Sequence, residues 1–277
     1  MKKVLLTAVA IFNIVLIHAQ GTYQLWGTKR FGGPDELGSI FSTDAFGNNF
    51  HSRHQTKAIN PGNTPKNSVL SKYGEKYYGV TSGGGLFESG VIFEWDPATN
   101  IYTKKIDFPQ YSVTPSGGLT LFNNKFYGVT NSIIFEWDPL TNFYTQKFNF
   151  PIDYQGQGRV LATGTLMLMN NKFYGITNGE GTKKAGGIFE WDPVTNIYIQ
   201  KQDFNDHLSL GYEPCGNLIP VNGKFYGMTS YGGNDNRGVI FEWDPLTNIY
   251  LVKLNFDTNG YRPNGSLFSN GNKFWSH

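Results

Sequence analysis

The chain has one cysteine, Cys215, among 277 residues, so no internal disulfide framework holds it together. That excludes the small disulfide-stapled folds and any zinc or redox site built on a cysteine pair. Cys215 is expected to be a small buried residue. Charge is scarce too: Asp, Glu, Lys and Arg make up 16% of the residues, with 23 basic against 21 acidic. Lys2 and Lys3 fall in the leader described below, and subtracting these two from 23 leaves 21 against 21. A chain with no net charge has little electrostatic hold on nucleic acid or anionic lipid, and neither is expected as a partner. The sequence lacks a Gly-x-Ser-x-Gly elbow and a phosphate-cradling glycine loop. His51 and His54 have the spacing of two metal ligands without a third, and read as solvated surface. Residues Gly232 to Asn236 are rich in oxygen but lack the acidic spacing of a calcium loop. His207 beside Asp206 has no nucleophile attached. The expectation is therefore no metal, no cofactor and no enzymatic activity.

Long apolar runs are missing except at the start. Lys2-Lys3, a mostly apolar stretch from Val4 to Ile17, and the small Ala19 read as a signal peptide over 1–19, cleaved before Gln20. The run is too short to favour a membrane span. The mature part, 20–277, is expected to be one exported repeat domain, whether secreted, periplasmic or at the cell surface.

Aromatic residues are abundant, at 16%, as is glycine, with 34 copies, which together suit a many-turned β protein. The chain is organised around Phe-Glu-Trp-Asp-Pro-x-Thr-Asn, present at 93–100, 135–142, 189–196 and 241–248. Each copy follows a short, mostly aliphatic run and precedes a Tyr-containing run. It reads as strand, tight turn and returning strand. The Asp can accept backbone N–H bonds, the Pro presets φ, and the Asn tolerates the left-handed residue that closes the turn. A second marker, Lys-(Phe/Tyr)-Tyr-Gly, ends at Gly79, Gly128, Gly175 and Gly227, in steps of 49, 47 and 52 residues. Before it comes a short apolar run with an Asn-Asn or Asn-Gly turn, a strong hairpin signal. Each repeat of about fifty residues thus holds four strands, A to D, joined as a meander, which is a propeller blade.

The fold class is therefore all-β, a propeller of about five four-stranded blades. The first blade is a worn copy, with Leu25-Trp26-Gly27-Thr28 as strand B and Gly38 to Asp44 as strand C. It lacks a strand A, and the C-terminus carries an orphan A at Gly265 to Phe268, followed by a truncated B at Lys273-Phe274-Trp275. The expectation is that this tail closes the ring by completing the first blade. Its rival is a chain that stops inside a sixth repeat.

The shortest B–C connection, Asn131-Ser132, fixes a register that sets Gly128 opposite Phe135, Tyr127 opposite Glu136, Phe126 opposite Trp137 and Lys125 opposite Asp138. Gly128 then leaves room for a ring to lie across the backbone. The repeated Glu94, Glu136, Glu190 and Glu242 could form a ring of acids. They are read instead as blade-to-blade hydrogen-bond acceptors, because an element repeated in every blade rarely offers the unique environment a catalytic acid needs.

In a meander blade the A–B and C–D turns share one end, and here they are short and uniform. The B–C and D–A connections share the other end and vary in length and chemistry, so recognition is expected there. The candidate binding residues on that face are Phe87, Tyr111, Tyr154, Tyr212, Tyr231, Arg237, Tyr261 and Arg262, with Glu88 and Asp235 beside them. Tyr and Arg give large contact area at modest entropic cost. An equally weighted reading makes the tyrosines plugs between blades.

Lys-Phe-Tyr-Gly-x-Thr, the Gly-Gly loop at Gly232-Gly233 and the following Gly-Val-Ile-Phe-Glu-Trp-Asp-Pro resemble the GloVer-type tandem repeats of exported bacterial proteins. They are also similar to kelch repeats. The resemblance covers essentially the whole mature chain and implies a kelch-like β-propeller, but it carries no activity, because these families share a scaffold rather than a chemistry. The leader ending in Ala-Gln looks like those of the Bacteroidetes group. The expected function is a secreted, non-catalytic binding module for an extracellular glycan or protein. Its rivals are a structural repeat fragment without a ligand and, third, a propeller glycosidase or lyase.

Overall fold

The structure, a computed structural model, describes residues 15–19, 22–30, 37–44, 47–55, 62–65, 70–110, 114–150, 161–179, 185–204, 209–258, 260, 262–269 and 274–276. These form five four-stranded antiparallel sheets arranged as a β-propeller, followed by a two-stranded hairpin. The first blade is β1 (Val15–Ala19), β2 (Thr22–Lys29), β3 (Ser39–Asp44) and β4 (His51–Gln55). The second is β5 (Ser71–Tyr73), β6 (Lys76–Val80), β7 (Val91–Asp96) and β8 (Ile101–Asp107). The third is β9 (Thr120–Phe122), β10 (Lys125–Val129), β11 (Ile133–Trp137) and β12 (Tyr144–Asn149). The fourth is β13 (Leu161–Met169), β14 (Lys172–Asn178), β15 (Gly187–Trp191) and β16 (Tyr198–Asp203). The fifth is β17 (Tyr212–Val221), β18 (Lys224–Tyr231), β19 (Val239–Trp243) and β20 (Tyr250–Asn255). The hairpin is β21 (Leu267–Ser269) and β22 (Phe274–Ser276).

The turn residues act as their chemistry dictates. The Oδ1 atoms of Asp96, Asp138, Asp192 and Asp244 each accept N–H bonds from residues two and three further on. Asn100, Asn142, Asn196 and Asn248 close these turns at φ 58 to 60°. Asn123-Asn124, Asn170-Asn171 and Asn222-Gly223 sit at positive φ at both positions, as a two-residue hairpin turn requires.

The expected register holds for three of its four pairs, Gly128 with Phe135, Tyr127 with Glu136 and Phe126 with Trp137. The fourth lies one step beyond the paired ladder, in the same register; there the Lys125 ammonium bonds Glu136 at 2.6 Å, while the Asp138 carboxylate accepts from its own turn. The Phe ring lies across the Gly in all five blades. A Cβ built on Gly27, Gly79, Gly128, Gly175 or Gly227 would stand 2.4–2.7 Å from the Cζ of the paired Phe.

Blades stack by unlike faces. Tyr78 of the second blade packs on Phe126 and Trp137 of the third, at ring separations of 5.0 and 5.6 Å. Tyr127 packs likewise on Phe173 and Trp191, and Tyr174 on Phe225 and Trp243. Trp26 takes the same place against Tyr77 and Trp95. Each blade therefore has a leading face of Phe and Trp and a trailing face of Tyr and Ile, and the core is the set of seams between them. At the axis, backbone N–H groups of one blade donate to side-chain oxygens of the next. Gly118 donates to Thr165 Oγ1 at 2.8 Å, Thr165 to Asn217 Oδ1 at 2.6 Å and Asn217 to Ser266 Oγ at 2.9 Å.

That belt runs on into the tail, which corrects the expected closure. Leu267 to Ser269 do not join the first sheet. They pair with β22 and pack beside β17 as the inner strand of a sixth position, while β1 holds the inner place of the first blade. Phe50, which takes the place on the first blade's leading face that Tyr102 takes on the second, remains 57% exposed. β1 lies within the segment read as a signal peptide. Cys215 is buried, as expected, with its Sγ 3.7 Å from the Met228 carbonyl oxygen.

Gly128→Ala tests the ring-over-backbone contact. The added methyl would meet Phe135, and urea unfolding is expected to show a loss of about 1–3 kcal/mol.

Candidate functional site

Four of the eight candidate residues come together at the loop end of the fifth blade, Tyr212 and Tyr231 at the ends of β17 and β18 rather than in the loops themselves. Tyr212 and Tyr231 face each other across the β17–β18 ladder and stack at 5.4 Å with planes 13° apart. The Arg262 guanidinium lies 4.9 Å from the Tyr231 ring centre. Asn236 Oδ1 accepts from the Tyr212 hydroxyl at 3.1 Å and from the Gly232 N–H at 2.9 Å, tying the Gly-Gly loop to the stack. Arg237 joins through its backbone, since its carbonyl accepts the Arg262 N–H at 2.9 Å.

A local device aims Arg262. Glu213 and Arg262 each precede a proline, at φ 53 and 51°, and each sends its N–H back to the preceding blade's B–C loop, at Ala185 and Arg237. Thr64 before Pro65 repeats this at φ 54° on Leu37. The left-handed residue turns its side chain out over the neighbouring loop, so Arg262 reaches Tyr231. The recurring residue-before-proline is visible in the sequence; its left-handed backbone is not.

Phe87 stands apart on the second blade, 41% exposed beside Leu86 at 69%. Its loop is pinned where Asp107 Oδ1 accepts the Leu86 N–H at 2.8 Å, as Asn255 Oδ1 accepts the Asn234 N–H in the fifth blade. Tyr111, Tyr154 and Tyr261 lie outside the described residues, as do Asp206 and His207. His54 is not solvated surface. Its ring stacks on Tyr102 at 4.4 Å in the seam between the first two blades. Among the described residues, no group of three or more potential ligands could hold a metal ion.

The repeated glutamates bond within blades rather than between them, a second correction. Glu94 accepts from the Lys76 ammonium and the Tyr78 hydroxyl, with Lys105 at 3.6 Å. Glu136, Glu190 and Glu242 repeat this with the corresponding Lys and Tyr, and with Lys147, Lys201 and Lys253. The second lysine comes from a β-bulge. The C–D pairing slips by one residue at Lys105, Lys147, Lys201 and Lys253, which turns each toward the glutamate. In the first blade the bulged residue is Arg53, and Ser42 replaces the acid and accepts its Nε–H at 2.9 Å. The sequence signal for this was a Lys three residues after the Tyr of every D strand, from Tyr102 to Tyr250.

Hydrogen bonds from Lys224 and Tyr226 pull the Glu242 carboxyl down to about 2. Burial alone would push Glu94 and Glu136 up, but their lysines and tyrosines outweigh it and hold both below the usual range. Burial, reinforced by Glu242, pushes Tyr226 up to about 12, and burial likewise raises Tyr78, Tyr127 and Tyr174.

A family model described as the Gloeobacter/Verrucomicrobia repeat matches residues 131–277, more than half of the chain. Among solved structures, the chain is similar to TolB from Acinetobacter baumannii, at 14% identity and a TM-score of 0.52. That match covers 83% of this chain and 50% of TolB, so the chain spans half the length of that protein, and the likeness is one of fold. No curated protein matches the sequence.

The carboxylates with depressed values add stability above their unfolded value near ~4.3, and this is lost as pH falls through the folded value. For Glu242 that window runs down to about 2. The tyrosines with raised values add stability below ~10, lost as pH rises through their folded values. Urea midpoints against pH should form a plateau from about 5 to 9 that falls on both sides. In Glu242→Gln the acid-side fall should be shallower.

Proposed function

We propose that this chain, which belongs to the Gloeobacter/Verrucomicrobia repeat family, is an exported, non-catalytic recognition module that binds an extracellular glycan or protein through its B–C and D–A loop face. The observation that carries the reading is the stack of Tyr212, Tyr231 and Arg262, gathered from two strand ends and a connection at the end of the blade where the loops vary. Its chemistry suits recognition. Aromatic rings offer flat apolar area, while the exposed Arg262 offers fixed donors for a carboxylate or an amide. Tyr231 is already engaged by a ring and a guanidinium, so the edges of the stack and the outer side of Arg262 are the surfaces left for a ligand.

The glutamates support the non-catalytic reading. A general acid at neutral pH needs a carboxyl raised toward ~6–7. Glu242 is instead depressed to about 2 and closed in by Lys224, Lys253 and Tyr226. Each repeated glutamate is spent on its own sheet. Export rests on the leader read at 1–19.

A glycan array and a pull-down from cell-surface extracts test the proposal. Retention on the captured ligand should fall at least roughly tenfold in Arg262→Ala and in Tyr212→Ala, the usual scale for an aromatic or arginine anchor. Thermal unfolding should move little in Arg262→Ala, since an exposed cation–π contact is worth about 0.5–1 kcal/mol. Empty screens would favour a structural repeat unit without a ligand of its own. Undiminished retention in both variants would move the binding site off this stack.

A further inference from the structure

The first blade lacks the acid that the other four share. In each of those four, the glutamate on strand C takes the hydroxyl of the tyrosine facing it on strand B. It also takes the ammonium of the lysine two residues before that tyrosine and a second ammonium from the strand D bulge. The first blade keeps this frame and changes every member of it. Trp26 stands in the place of Tyr78, opposite Ser42 in the place of Glu94. Gln24 takes the position of Lys76, and Arg53 that of the bulge residue Lys105. The carboxylate is gone, yet a cation remains. Arg53 gives its Nε–H to Ser42 Oγ at 2.9 Å, and its guanidinium lies 5.6 Å from the Trp26 ring centre. Among the described residues its Nη groups meet no acceptor.

Unused donors collect beside it. The indole N–H of Trp26, a residue 5% exposed, is buried and has no acceptor. The Tyr77 hydroxyl and the Trp95 indole N–H are buried without partners as well, and their rings pack on Trp26 at 6.3 and 6.4 Å. The other seams are built differently. Trp137, Trp191 and Trp243 each donate to a turn Asn, and Phe126, Phe173 and Phe225 in the place of Tyr77 have nothing to donate. A buried donor without an acceptor is costly and calls for a cause. The groups left over are all donors: the Arg53 Nη groups, the Trp26 N–H, and the Ser42 hydroxyl, which accepts from Arg53 and keeps its hydrogen to give. What is missing is an acceptor, and the four sibling blades show which acceptor this frame holds.

We propose that the first blade binds a carboxylate from solution in place of the missing glutamate. The ligand carboxylate would meet the Arg53 guanidinium end-on through its Nη groups, a fork matched to two oxygens. The Ser42 hydroxyl and the Trp26 indole N–H would be the further donors. Arg53 is half-buried, so the ligand approaches from its solvent side. A slender stem fits, because the place vacated is that of one glutamate side chain. That chemistry belongs to a peptide C-terminus or acidic side chain and to the uronic acid of a glycan. The site lies on the first blade and the aromatic stack on the fifth, so the failure of either leaves the other standing.

The test labels the indole nitrogens of the full chain isotopically and follows their N–H resonances while sodium acetate replaces sodium chloride at constant ionic strength. Trp26→Phe assigns the signal. A saturable shift of the Trp26 resonance is expected. The acetate concentration at half-saturation should rise at least roughly tenfold in Arg53→Gln, the scale of one charge-assisted hydrogen bond. Ser42→Glu supplies the carboxylate from within the chain. In that variant the Trp26 signal should be displaced before acetate is added, acetate should move it no further, and the thermal midpoint should lie above the parent's. Circular dichroism checks that each variant is folded. Glucuronate and N-acetylglycine, titrated in the same way, separate a glycan source from a peptide one by which binds more tightly. Inorganic phosphate binding more tightly than all three carboxylates would overturn the assignment. So would an unmoved Trp26 signal, or a response that survives undiminished in Arg53→Gln or in Ser42→Glu.

Discussion

The contact on which the molecule depends is between unlike faces of neighbouring sheets. A Phe and a Trp from one blade's third strand lie against a Tyr and an Ile of the blade before it, and a Phe from that blade's outgoing end and a Leu ahead of the next blade's second strand fill in around them. The Phe can lie flat because the residue under its ring is Gly in all five blades. The Trp indole is held by the amide oxygen of the turn Asn in three of them, at 3.0–3.1 Å. Of these, Asn142 also reaches across the seam, its Nδ2 donating to the Lys105 bulge carbonyl of the preceding blade, and Asn100 makes the same bond to Arg53. One turn residue therefore joins packing within the blade to packing between blades.

The bulge is the second half of this economy. Without the extra residue in strand D, alternation would leave Lys105 and its counterparts on the opposite side from the glutamate. With it, a carboxylate that sits at 8% exposure or less in Glu94, Glu190 and Glu242 gains a second ammonium. A buried carboxylate with a single partner would be costly, and one with a hydroxyl and two ammoniums is satisfied. The repeated charges are thereby spent inside the frame, leaving the loop face to differ from blade to blade.

Much of this could be read from the residues alone. Asp-Pro-x-Thr-Asn folds as it must because each residue acts on its own turn, and the Gly under Phe135 follows from a two-residue connection that allows one register. What stayed hidden depends on geometry beyond the strand. The glutamates' partners were misjudged because a bulge shifts a lysine by one face, and alternation does not report bulges. His54 looked solvated because the seam that buries its ring on Tyr102 joins strands nearly fifty residues apart. The tail was expected in the first blade because strand counting is blind to where β1 and β21 lie around the axis. In the loops, the residue types pointed to Tyr212 and Tyr231, but the placement of Arg262 over them depends on a left-handed backbone that no composition encodes.

The directionality of the belt at the axis has a consequence of its own. The third, fourth and fifth blades each give a backbone N–H forward to a side-chain oxygen of the next unit, so these three joints run in one sense. A gene rearrangement that copied or deleted one of these whole units would still set a backbone N–H against a side-chain oxygen at each surviving joint, whereas one that cut within a unit would strand a donor or an aromatic wall. Such a chain is free to change length only in whole steps, and the loops between joints are free to diverge one at a time.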